Sequence, residues 1–207
     1  MPVEFLISAL VTLLVVVDPV GLVPAFLAVT HERPDAFRRQ VALRACLIAG
    51  AILVGAALIG DWLLRQLGIT LPAFRVAGGL LLFAVAFEMV LGLRARHEAK
   101  DAEQAIEEHS QDIAAFPLAI PLIAGPGAIS ATVLLSGSFQ GAGAQAALVA
   151  IIFVCLVLTY LVFVLSERID RFLGNTGRSI LTRLLGVILA ALAVQFVADG
   201  IKALMAG

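Results

Sequence analysis

Six long apolar runs govern what this chain can fold into. They fall at roughly 5–29, 41–62, 72–93, 113–136, 144–166 and 180–205. Each approaches or exceeds the length, about 20 residues, that a helix needs to cross the hydrocarbon core of a bilayer. Lipid offers the backbone no hydrogen-bonding partners, so segments of this kind must be helical. Composition agrees: of 207 residues, 61% are hydrophobic and only 14% charged, and the mean hydropathy is +1.06. A water-soluble domain of that size needs far more polar surface to cover its core. The expected class is an all-α membrane protein of six transmembrane helices, with the lipid bilayer as its first partner.

Charge and cysteine usage exclude several function classes. A net charge of −1 gives no reason to expect nucleic acid or another polyanion. Cys46 and Cys155 both lie inside apolar runs and read as small packing residues, not as a disulfide or a metal pair. No metal site and no cofactor is expected, and no nucleotide-binding loop of the G-x-x-x-x-G-K type occurs, so ATP is not the direct energy source. The start, MPVEFLISALV, carries Glu4 and no Lys or Arg before its apolar run. A cleaved secretory signal begins with positive charge, so the first span is expected to stay.

Orientation follows from where the basic residues fall. The loops 30–40, 94–112 and 167–179, with adjoining span ends, hold Arg33, Arg38, Arg39, Arg44, Arg94, Arg96, Lys100, Arg168, Arg171, Arg178 and Arg183. The other side, with both termini, holds only Arg65, Arg75 and Lys202. By the positive-inside rule the first group is cytoplasmic and both termini face outward. His31, His97 and His109 all fall in cytoplasmic loops, and 94–112 reads as a charged linker.

That linker divides the chain into 1–93 and 113–207, and the two halves look alike. At an offset of 108, Arg75 falls on Arg183, Gly78 on Gly186, Leu81 on Leu189 and Gly92 on Gly200. Five of the eight prolines sit in the first and fourth spans: Pro19 and Pro24, then Pro117, Pro121 and Pro126; Pro19 and Pro126 are 107 apart. A unit of three spans ends on the face opposite to its start, so the second copy is inverted relative to the first. Inverted repeats with broken helices in corresponding places are common in secondary transporters.

The breaks carry the chemistry. Asp18-Pro19 with Gly21, and Gly125-Pro126-Gly127, fall well inside the first and fourth spans. Proline removes a donor and clashes with the preceding turn, and glycine lets the chain leave helical geometry. Each break is expected to open its helix and to line a cavity or meet water. Orphan N–H groups then begin the second half-helices near Gly21 and Gly127, and orphan carbonyls end the first halves before Pro19 and Pro126. The former suit a carboxylate, the latter with Asp18 suit an ammonium group or cation. Together they fit a zwitterion, of which a small amino acid is the simplest. Candidate substrate-binding residues are Asp18, Pro19, Val20, Gly21, Gly125, Pro126, Gly127 and Ala128.

Asp18 is the one acid near a span centre, and a charge there costs roughly 2.5–3.5 kcal/mol on insertion scales. Two roles are open to it: ligand binding with proton coupling, or capping the second half-helix. Glu88 and Asp199 lie nearer span ends and are expected to reach interfacial water. Gln195 sits deeper and reads as a hydrogen bond between helices. Thr12, Ser130 and Thr132 flank the breaks, where such hydroxyls usually bond their own backbone. Arg75 and Arg183, at equivalent places, read first as snorkelling anchors.

At these motifs the sequence resembles the MarC family of small bacterial and archaeal inner-membrane proteins, which includes neutral amino-acid transporters of the SnatA type. The stretches are DPVGLVP (18–24), GITLPAFRVAGG (68–79), PLAIPLIAGPGAI (117–129), and TRLLG (182–186) leading into VQFVADGI (194–201). The resemblance implies six spans, inverted halves and discontinuous first and fourth helices around a central site. It further implies transport of glycine, alanine or similar amino acids, with protons as a coupling ion. The alternative from the same breaks is an exporter or channel for another small solute or ion. An intramembrane hydrolase is disfavoured: no histidine lies in a span, Asp18 lacks a central acidic partner, and Ser136 and Ser138 have no base. The oligomeric state is not legible.

Overall fold

The computed structural model describes residues 3–107, 112–138 and 141–206. His109 and the side chains of Glu4 and Ser138 lie outside the described residues. Among the described residues all regular structure is helical. In chain order it comprises α1 (Val3–Val17), α2 (Val23–Val29), α3 (Asp35–Gln66), α4 (Leu71–Leu91), α5 (Leu93–Glu107), a π-wound segment (Ala114–Ile123), α6 (Pro126–Ser138), α7 (Ala142–Val164) and α8 (Ser166–Ala206).

Helices α3, α4, α7 and α8 are each long and apolar enough to cross a membrane. The wound segment and α6 meet at a bend of 57° and together make a fifth candidate crossing. Helix α1 is apolar but has 15 residues, and α2 has seven. The outward surface of these helices is that of a lipid-facing protein. Leu47 (62% exposed) and Trp62 (59%) on α3, Phe153 (66%) on α7 and Val187 (58%) on α8 project outward from three of these helices. Patches of that extent would aggregate in water.

Local sequence explains where the helices start and stop. Thr70 caps α4 by accepting from the Ala73 N–H (3.3 Å), and Pro72 sits in the first turn where no donor is needed. Gly92, at φ +71°, ends α4 in the left-handed conformation that a side chain resists. The chain then restarts at once as α5. Residues 94–107, expected to be a charged linker, are thus helical; 108–111 lie outside the described residues. Loop 167–179 is also helix: it belongs to α8, which is interrupted only at Gly174 (φ +58°). Both segments read as loops because their charge broke the apolar pattern, yet charged residues are good helix formers.

The two ends of the bundle differ in charge. At one end Arg38 pairs with Glu167 and donates to Ser166 Oγ (3.0 Å), Arg44 pairs with Asp112 (2.8 Å), and Arg178 pairs with Asp170. Helix α3 starts at that end and finishes at the other, where Arg65 pairs with Asp61 (2.8 Å).

Helices α4 and α8 form the most extensive pairing, and they run antiparallel. Small residues let their backbones approach, the usual device where lipid removes the hydrophobic drive between helices. A Cβ built on Gly79 would lie 2.7 Å from Val197 Cγ2 and 2.9 Å from Ala193 O. One built on Gly186 would lie 2.8 Å from Met89 Cβ and 3.1 Å from both Ala86 O and Val90 Cγ2.

Candidate functional site

The first apolar run opens where Asp18 and Pro19 stand. Helix α1 ends at Val17, Asp18 takes φ +49°, and α2 begins at Val23. Asp18 is 2% exposed. Its Oδ1 accepts from the Gly21 N–H (3.1 Å), and its Oδ2 accepts from the Thr182 hydroxyl (2.9 Å) on α8. The side chain thus closes the turn and ties it to a helix 164 residues away. The N–H groups leading into α2 are already taken: Leu22 donates to Asp18 O (3.2 Å), Val23 donates to Val20 O (3.3 Å), and Pro24 has none. The expectation that the half-helix near Gly21 offers free donors is therefore corrected. In a seven-residue helix with proline in its first turn, the turn itself uses them.

The carbonyls before the break have a partner that the sequence did not suggest. Arg94, in the first turn of α5, donates from Nη1 to Val16 O (3.0 Å) and from Nη2 to Val17 O (3.3 Å). Its Nε donates to Glu98 Oε1 (2.8 Å), and its side chain is 13% exposed. The C-terminal end of α1 carries unpaired carbonyls and the negative end of the helix dipole. A forked cation is well shaped to satisfy both. The charge of Arg94 acts on the Asp18 carboxylate as well.

The second break lies beside the first. The wound segment holds extended backbone at Phe116 and Ile120, each preceding a cis proline, and ends at Ala124. Pro126 then starts α6, and Gly125 O accepts the first helical bond from Ile129 (3.0 Å). Among the described residues no hydrogen bond reaches the N–H groups of Gly127 and Ala128. A Cβ built on Gly127 would lie 3.4 Å from Val16 Cγ1 and 3.2 Å from Val85 Cγ2. The end of α1 and the start of α6 are therefore in direct contact.

Two cavities flank this meeting point. One of about 160 Å³ is lined by Gly125, Pro126, Gly127 and Ala128, with Val16, Glu88, Arg94, His97 and Glu98 among the other walls. The second, about 320 Å³, is lined by Asp18, Gly21 and Pro24, with Arg94, Glu98, Arg178, Ser179 and Thr182 opposite. Arg94 and Glu98, an ion pair, are the residues that line both. Of the sequence candidates, Asp18 and Gly21 line the second cavity, and Gly125, Pro126, Gly127 and Ala128 line the first. Pro19 is buried and Val20 half-buried, and neither lines either of these two cavities.

Other sequence candidates take ordinary structural roles. Thr12 and Thr132 donate to Ser8 O and Ala128 O, both 2.8 Å, within their own helices. Ser136 donates across to Ala57 O (2.6 Å) on α3. Gln195 corrects its reading: it is exposed and donates to Asp199 (2.8 Å) one turn along α8. Glu88 lies 3.8 Å from His97, and both line the first cavity. Arg183 lies against Gly92 on the second cavity's wall. Cys46 and Cys155 are free and buried. Sequence reasoning missed Arg94, Glu98 and Thr182 as site residues. The signal available was Arg94's place just after the helix-ending Gly92.

Apolar lipid-facing helices around two interrupted segments define an integral, multi-pass membrane protein. Within that class the chain belongs to a particular family. The model of the MarC family integral membrane proteins matches residues 3–205, and the chain is a member of that family. It is similar to a UPF0056 membrane protein of Aquifex aeolicus, 38% identical over 96% of this chain and 93% of the relative. A UPF0056 membrane protein of Methanocaldococcus jannaschii is 37% identical over 98% of each. UPF0056 membrane protein YhcE of Escherichia coli is 31% identical over 94% of this chain and 91% of the relative. No solved structure matches the chain.

Proposed function

We propose that the protein is a secondary transporter of small neutral amino acids such as glycine or alanine, with Asp18 as the site of proton coupling. The observation that carries this reading is the contact between two interrupted helices, Val16 at the end of α1 against Gly127 at the start of α6, beside one cavity lined by the Gly127 and Ala128 peptide groups and another lined by Asp18. Irregular backbone inside a membrane protein is tolerated where it lines a cavity, and transporters place their sites there. The unpaired N–H groups of Gly127 and Ala128 at the positive end of α6 suit a carboxylate. Asp18 suits an ammonium, as do the Val16 and Val17 carbonyls, which Arg94 holds in this structure. The smaller cavity, about 160 Å³, lies below the roughly 300–1,000 Å³ of drug-sized pockets, which favours a small solute.

In this reading α1 with α2 is one discontinuous span and the wound segment with α6 is another, which brings the total to six. The two halves are inverted repeats. Support comes from the α4–α8 interface, where Gly79 meets Ala193 O and Val197 while Gly186 meets Ala86 O and Val90. Each residue of one contact lies 107 positions from its counterpart in the other, as a two-fold axis between the halves requires. The register is thus 107, the Pro19–Pro126 spacing, in place of 108. The end rich in arginine is cytoplasmic, both termini face outward, and the membrane is the inner one. The protein is not an enzyme, and it uses no metal or cofactor.

Uptake of labelled glycine and alanine into liposomes containing purified protein, with and without an imposed proton gradient, tests this. The expected result is uptake of at least one of them, accelerated by the gradient and no longer accelerated in Asp18→Asn. No uptake under either condition refutes the substrate; gradient-stimulated uptake unchanged in Asp18→Asn refutes the coupling role.

A further inference from the structure

We propose that the Val16 and Val17 carbonyls form a cation subsite, and that Arg94 is a tethered occupant which the ammonium group of a ligand replaces. This rests on the transporter reading above for the identity of the ligand, though not for the existence of the subsite. Three observations carry it. The guanidinium occupies the position the interrupted helix prepares for a cation, bonded to two carbonyl oxygens at 3.0 and 3.3 Å. It arrives from a different element, the first turn of α5, just beyond the left-handed Gly92 where the chain changes direction. It lines both cavities, the one with Asp18 and the one with Gly127, so its movement changes the two together.

The chemistry is an exchange of donors. Carbonyls at an interrupted helix end keep a partner in every state, because leaving them bare in a buried place is costly. Arg94 supplies the N–H groups when the site is empty. A primary ammonium has three N–H groups and one positive charge, so it can satisfy the same pair of oxygens with Asp18 alongside. Glu98 remains bonded to Nε and retains the arginine as it swings away. Ligand entry and release of α5 from α1 thereby become a single event. A guanidinium that anchored the ligand's carboxylate would behave oppositely, since its loss would weaken binding.

Removing the tethered cation should therefore improve binding of free cations. The ligand's apparent affinity is reduced by the fraction of sites held shut, so Arg94→Ala should bind glycine about tenfold tighter or more. The experiment uses the purified full chain in detergent and follows thermal unfolding and binding with methylguanidinium, methylammonium, glycine and acetate. Arg94→Ala should be less stable than wild type. It should regain stability with methylguanidinium, methylammonium and glycine, but not with acetate, and wild type should respond to each of the three less. Arg94→Lys, which keeps a tethered cation, should respond like wild type. Arg94→Gln serves if the alanine variant does not fold. Equal responses of wild type and variant, or weaker glycine binding after Arg94→Ala, overturn the proposal. A response to methylguanidinium and methylammonium without one to glycine upholds the subsite and removes the amino-acid reading, which liposome uptake tests independently.

Discussion

Replacing Asp18 separates the turn it builds from the charge it carries. In the structure its carboxylate accepts from Gly21 N–H (3.1 Å) and Thr182 Oγ1 (2.9 Å), and its backbone sits at φ +49°. Hydrogen bonds to a charged group contribute about 1.5–3 kcal/mol each. Alanine at a left-handed φ costs about 1–2 kcal/mol more. Both donors border a 320 Å³ cavity where solvent can replace the lost acceptor, and a buried carboxylate is itself expensive. At face value the sum for Asp18→Ala is about 4–8 kcal/mol, and these two offsets bring it down to about 3 kcal/mol. Asparagine adopts positive φ readily, and its Oδ1 can keep the Gly21 bond while the Thr182 hydroxyl turns to accept from Nδ2. Asp18→Asn should cost about 1 kcal/mol or less. The gap of about 2 kcal/mol is roughly a thirtyfold difference in the unfolding equilibrium. Equilibrium unfolding in mixed detergent–lipid micelles measures both. Equal loss in the two variants, or greater loss in Asp18→Asn, would refute the assignment of the turn to hydrogen bonding and make the charge the structural element.

Two further substitutions probe the close approaches. A methyl on Gly21 would press against the Asp18 carboxylate, its Cγ 2.8 Å away. Gly21→Ala should therefore break the Thr182 contact and cost about 1–3 kcal/mol, as overpacking does, in the same unfolding assay. Gly186→Val should part α4 from α8 at a similar cost of about 1–3 kcal/mol. Gly55, with nothing within 4 Å of a built Cβ, is the control: Gly55→Val should change stability by no more than about 0.5 kcal/mol.

The interrupted helices were legible because proline and glycine act locally. Pro19 and Gly21, and Gly125 and Pro126, mark the breaks to within a residue or two. The partners of the breaks were not legible. Arg94 counted only as one positive charge among eleven on its side, and charge counting cannot tell which arginine folds back onto a helix end. Thr182 is one hydroxyl beside an apolar run, and nothing local links it to Asp18 across 164 residues. Gln195 was misplaced for a related reason: depth along a helix says nothing about which way the side chain faces. The helices 93–107 and 166–173 were hidden because hydropathy detects burial in lipid, whereas a charged amphipathic helix at the bundle's end leaves no apolar run.

A shared site at the two breaks requires the end of α1 to touch the start of α6. Disulfide formation between Val16→Cys and Gly127→Cys, in a chain whose Cys46 and Cys155 are replaced by alanine, tests that contact most directly. A Cβ on Gly127 lies 3.4 Å from Val16 Cγ1, which brings the two sulfurs within bridging range. Rapid, near-complete cross-linking is expected under mild oxidation in lipid, with none when Val16→Cys is paired with a cysteine at the lipid-facing Leu47. Absence of a Val16–Gly127 cross-link in a folded protein would contradict it.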